Sequence, residues 1–199
     1  MSNELQKLYL NVKLLLENGK LVNELRKIRD AYEILVEPEI DFTFDHTFSR
    51  DSFMKFEKAV RSSTEDKREG FQQYLNKLIG EKDLSQTIIS RRSGIKESTL
   101  SRFVSGSRTP SVDMVFRIAL ALRLNLVETE TLLRKLNKGF SNTPKDGVMI
   151  EALKQKIYDY LKVEAVLRKL TNAEESLLSK KEIEEIGFAE EDWEIEISD

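Results

Sequence analysis

Apolar positions in this chain recur mostly in steps of three and four. Leu5, Leu8, Val12, Leu15 and Leu16 do so, "ENGK" makes a break at residues 17–20, and Leu21, Leu25, Ile28, Tyr32, Leu35 and Val36 resume the pattern. Such spacing places each set on one side of a helix. Pro38 ends the second run, because the residue before a proline is pushed out of the helical region. Residues 5–36 are therefore expected to form a helical hairpin whose wide stripes pack against the rest of the chain, or serve as a dimer or partner surface.

The period changes at Ile40. Ile40, Phe42 and Phe44 alternate with Asp41, Thr43 and Asp45, a strand-like period of two, before a helix expected from about Ser49. Five of the ten phenylalanines fall between Phe42 and Phe56; they either cover the core or form an aromatic ligand or partner site. His46, the one histidine, stands beside Asp41 and Asp45. One imidazole with two carboxylates is a poor ligand set, and no metal site is expected. "STED" at 63–66 has the shape of a helix-opening capping box.

Five short helices fit residues 71–138. The first runs from Phe71 to about Lys82, with Phe71, Tyr74, Leu75 and Leu78 facing inward. Ser85 stands where an N-cap belongs and opens the second, through Ser93. Gly94 suits the turn, since glycine takes a left-handed conformation without steric cost. Glu97 to Ser105 forms the third, ended by Gly106; Ser111 caps the fourth, Val112 to Leu122; the fifth covers Val127 to Asn137. "FSNTPKDG" at 140–147 reads as a loop or helix start, and helical spacing returns over 148–170 through Ile150, Leu153, Ile157, Leu161 and Leu167. From Glu182 onward there are nine Asp or Glu and no Lys or Arg, with Ile183, Ile186, Phe188, Trp193, Ile195 and Ile197 interspersed.

Composition sharpens this picture only in places. At 199 residues the chain is one large domain or a small domain with helical additions. The absence of cysteine excludes disulfides and thiolate metal sites. "MSNELQKLYLNVKLLLENGK" lacks the basic flank and cleavage site of a signal peptide, and no apolar run approaches the roughly 18 residues of a membrane span. A soluble, cytoplasmic and nucleoid-associated protein with no membrane partner is expected. The net charge of −3 is unevenly spread: residues 1–69 carry −2, residues 70–110 carry +4, and residues 111–199 carry −5. That local positive segment says more about partners than the total does.

The segment in question is "LSQTIISRRSGIKESTLSRFVSG", Leu84 to Gly106. Two short helices joined through a tight glycine turn give helix-turn-helix geometry. Ile88, Ile89, Ile95, Leu100 and Phe103 or Val104 fall at packing positions, while Lys96, Glu97, Ser98, Ser101 and Arg102 fall on the outward face and are all polar. "LSQTIISRRSGIKESTLSRFVSGSRTPSVDMVFRIALAL" resembles, without a gap, the helix-turn-helix of the lambda-repressor-like (Xre/Cro) family of bacterial and phage regulators. The resemblance covers about 70 residues and leaves the flanks unassigned. It implies an all-α fold: a central five-helix DNA-binding domain at 70–139, an N-terminal helical region at 1–69, and a C-terminal helical extension with an acidic tail at 140–199.

It also implies roles. Base edges of double-stranded DNA would be met by Lys96, Glu97, Ser98, Thr99, Ser101 and Arg102 on a recognition helix at 97–105, with Arg102 placed for bidentate contact to guanine. Phosphates would be held by Ser85 and Gln86 at a helix N-terminus, by Ser105, Ser107, Arg108 and Thr109 after the recognition helix, and through charge by Arg91 and Arg92. Glu97 departs from the family's neutral or basic residue; it repels phosphate, reads a cytosine amino group, or pairs with a neighbouring arginine. A half-site this small calls for a homodimer or a partner. The expected function is a sequence-specific transcriptional regulator, a repressor, without cofactor. An antitoxin or immunity-type protein is the alternative, binding a toxin or defence-system protein through its N-terminal helices or acidic tail and autoregulating its operon. That tail could instead fold back on the basic motif. Catalysis is not expected, for want of a nucleophile–base pair or a glycine-rich phosphate loop.

Overall fold

A computed structural model of the chain describes residues 2–36, Met54 and 69–187. Among these residues there are ten helices and no strand. They are α1 (Ser2–Glu17), α2 (Lys20–Val36), α3 (Phe71–Glu81), α4 (Gln86–Ser93), α5 (Glu97–Val104), α6 (Val112–Leu122), α7 (Leu126–Arg134), α8 (Pro144–Lys154), α9 (Tyr160–Leu170) and α10 (Lys180–Ile186). The alternating segment at 40–45, His46, the capping box at 63–66 and the tail beyond Gly187 lie outside the described residues, as does the helix expected from Ser49 apart from Met54, which is helical.

Local chemistry places the helix ends. The Ser85, Ser111 and Thr143 side chains accept hydrogen bonds from the backbone N–H groups of Ile88, Met114 and Asp146. Each satisfies a donor that would otherwise lack a partner in a first turn. Asn125 with Glu128, and Ser179 with Glu182, form reciprocal capping boxes. The periodicity over 148–170 is broken into two helices. The chain closes α8 by bonding Ile157 N to Ala152 O at 2.9 Å, with Lys156 at a φ of 59°. That closure consumes the carbonyl a longer helix would have used.

One buried cluster runs through most of the molecule. Leu5, Leu8 and Val12 of α1 join Leu75 and Leu78 of α3, Phe116 and Leu120 of α6, Val148 and Met149 of α8, and Val163 and Val166 of α9. Helix α1 lies on α8 and α9, while α2 lies on α7. Their approach is close at Gly147, where a methyl group would stand 3.3 Å from Leu16 Cδ2. The hairpin therefore packs on the chain itself, and Leu15, Leu21 and Ile28 close a smaller cluster over Ile150. Truncating a fully buried leucine of this core to alanine would cost about 2–5 kcal/mol.

Candidate nucleic-acid interface

The α4–α5 pair is fixed from beneath. Ile89, Ile95, Leu100 and Phe103 are buried, holding the two helices against α6 and α3. Ile88 and Val104, also candidates for that role, are only half-buried and lie at its margin. Gly94 ends α4 at φ 66°, ψ 8°, left-handed values that L side chains adopt at a cost. There is no room for a side chain either: a Cβ at Gly94 would meet the Tyr160 hydroxyl, its Cζ at 2.7 Å and Arg117 Nη2 at 3.2 Å. Hydrogen bonds saturate the turn. Ser90 Oγ donates to Ile95 O at 2.6 Å, Ile95 N donates to Ser93 Oγ at 3.3 Å, and Arg117 Nε donates to Ser93 O at 2.8 Å.

With its apolar side so engaged, α5 turns Glu97, Ser98, Ser101 and Arg102 to the surface, next to exposed Lys96 at its N-cap, while Thr99 is half-buried. Glu97 accepts a hydrogen bond from Thr87 Oγ1 at 2.9 Å, its partner among the described residues being a hydroxyl rather than an arginine. The loop after α5 is drawn back on the helix end: Ser105 Oγ, Ser107 Oγ and Arg108 N all donate to Arg102 O. Ser105, Ser107, Arg108 and Thr109 are exposed there. Ser85 and Gln86 open α4, and the Ser85 hydroxyl serves as its cap. Arg91 and Arg92 sit in the last turn of α4, away from Gln86 at its start.

Helix α10 lies beside this surface. Arg117, only 1% exposed, pairs through Nη1 with Glu182 Oε1 at 2.8 Å and lies over the Tyr160 ring at 5.5 Å. Burial by itself would raise the Glu182 carboxyl, but hydrogen bonds from Ser179 and the adjoining Arg117 outweigh it and hold the group below its ordinary value. One turn on, Glu185 Oε2 stands 3.5 Å from Lys96 Nζ. The start of the acidic tail is thus a helix docked at the foot of α5. Sequence reading missed this group, although two signals were present: an arginine alone in the apolar run "VDMVFRIALAL", and the S-x-x-E spacing of Ser179 and Glu182.

Among the described residues there is no group of carboxylates or histidines able to hold a metal ion, and no helix long and apolar enough to cross a membrane. Residues 75–128 match the helix-turn-helix family. No curated protein and no solved structure matches the chain.

Proposed function

We propose, for a chain whose residues 75–128 form a helix-turn-helix of the lambda-repressor-like (Xre) type found in DNA-binding transcription regulators, that it is a sequence-specific repressor acting as a dimer through α5. The observation that carries this reading is the outward face of α5. Lys96, Glu97, Ser98, Ser101 and Arg102 are exposed together on a helix whose opposite side is buried. A short helix fixed from beneath and polar outside is what a major groove admits, and Arg102 can offer two parallel donors to one guanine. Exposed Ser85, Ser107, Arg108 and Thr109 flank it with hydroxyls and charge suited to phosphate.

Dimerisation draws support from the N-terminal hairpin. Leu10, Leu14 and Val22 remain exposed there although their neighbours pack inward. The docked α10 bears on the same function: Lys96 must exchange Glu185 for DNA when the complex forms.

Selection of sites from random duplex DNA with the full chain tests the reading. A consensus with two half-sites about one helical turn apart is the expected result. Recovery of no consensus, with weak and wholly salt-sensitive binding, would overturn it and favour the partner-binding, antitoxin-type role.

A further inference from the structure

Where the ends of α4 and α6 meet the turn between α8 and α9, a cavity of about 530 Å³ is lined by Arg91, Arg92, Arg123 and Lys156. Its size falls within the roughly 300–1,000 Å³ of small-molecule sites. The geometry points to a binding site for a small phosphate monoester, of mononucleotide size, in this cavity.

The first reason is unpaired charge. None of the four cations is in an ion pair with a carboxylate among the described residues; Arg92 Nη1 donates instead to the backbone oxygen of Ala121 in α6 at 3.5 Å. Asp159, the one carboxylate of the lining, is occupied in capping α9 through Leu161 N at 3.0 Å. In a chain with more acidic than basic residues, four cations gathered around one concavity repel one another unless an anion joins them.

Helix ends offer a competing account, since cations at helix C-termini answer the dipole. Three helices, α4, α6 and α8, end here. Each contributes about half a negative charge, and the start of α9 about half a positive one. Against four cations and one carboxylate, that leaves a surplus of about two positive charges, which matches a phosphate monoester dianion.

Backbone conformation gives a second, separate reason. Among the described residues six non-glycine positions have positive φ, and three of them are Asp83, Asn137 and Asn172, types that tolerate it. Arg123 at φ 55° and Lys156 at φ 59° are two of the other three. At such helix ends glycine would be the easier residue. Long cations held at strained positions on two sides of one cavity are in keeping with a site that uses them.

The remaining lining is suited to the rest of such a ligand. Tyr158 and Tyr160 add aromatic surface, and Arg123 lies over the Tyr158 ring at 5.8 Å, an arrangement that leaves a guanidinium's in-plane donors for phosphate oxygens.

The test is calorimetric titration of the full chain, without DNA, against adenosine 5′-monophosphate, adenosine and inorganic phosphate at low salt and neutral pH. Because no duplex is present, its outcome is separate from that of the DNA-binding reading. The monophosphate is expected to bind, phosphate more weakly and adenosine not at all. The double variant Arg123→Gly with Lys156→Gly relaxes both strained positions, so its melting temperature should hold or rise while monophosphate affinity falls at least tenfold. Three results would overturn the proposal: monophosphate binding no better than adenosine or inorganic phosphate, affinity retained in the double variant, or a double variant that melts lower because the cations served only the helix ends.

Discussion

Removing the carboxylate of Glu182 should destabilise the fold out of proportion to its place on a terminal helix. Arg117 is 1% exposed and Glu182 24%. The guanidinium has Ser93 O at 2.8 Å, the Tyr160 ring at 5.5 Å and Glu182 at 2.8 Å, while its Nη2 already has no hydrogen-bond partner. Stripping one partner from a buried pair costs about 3–5 kcal/mol, because the other charge is left uncompensated. Solvent reaches Glu182, so the low end applies, and Glu182→Ala is expected to cost about 3 kcal/mol. For a chain of this size that is about 6–12 °C in Tm. Arg117→Met leaves a carboxylate that can turn to water and should cost less, and the double variant should be less stable than Arg117→Met by only about 1 kcal/mol, the loss of Glu182's reciprocal cap with Ser179. Urea denaturation of the four proteins in a double-mutant cycle measures the coupling, expected at about 2 kcal/mol. The pH dependence has a fixed sign. Since Glu182 lies below its ordinary value in the native state, the stability it supplies is present above about pH 4.5 and is lost as pH falls through the native value. Additive single-variant costs, or a Glu182→Ala cost below about 1 kcal/mol, would refute the buried-pair reasoning.

Three further outcomes are expected. Gly94→Ala should lose about 2 kcal/mol or more in denaturant titrations, from left-handed strain together with displacement of Tyr160; a loss under about 0.5 kcal/mol would mean that the turn has slack. Glu164 is fully buried, and burial raises its carboxyl despite hydrogen bonds from Ser176 and Leu177 N. From about pH 4.5 up to its raised native value the folded state binds more protons, so stability declines with rising pH there. Glu164→Gln should flatten that part of the stability profile, and an unchanged profile would contradict the assignment. Glu185→Gln frees Lys96 and should tighten DNA binding by no more than about fivefold at low salt, an effect that vanishes at high salt because the pair is exposed.

What could be read from the sequence was what is encoded locally. Ser85, Gly94 and Ser111 each announce a helix end through the chemistry of one or two neighbouring residues, and the structure uses all three as caps. The outward set on α5 was legible because a buried Leu100 and Phe103 fix the phase of an eight-residue helix. What escaped depends on pairing across distance. Arg117 and Glu182 are 65 residues apart, and the S-x-x-E spacing that marks Glu182 as part of a helix cap does not name Arg117 as its partner. The split of 148–170 was hidden for a related reason: Leu153 and Ile157 keep helical spacing through a closure made by backbone hydrogen bonds alone. The cavity at Arg123 and Lys156 is assembled from three helix ends, so neither residue stands out in its own segment.

The measurement that bears most directly on DNA reading by α5 compares Arg102→Ala with Arg108→Ala on the selected duplex and its single-base variants, at two salt concentrations. Arg102→Ala is expected to cost about 1–3 kcal/mol and to relax preference at one base position in each half-site. Arg108→Ala should weaken all duplexes alike and reduce the salt slope by about one. A preference profile unchanged in Arg102→Ala would contradict the claim that this face of α5 reads sequence.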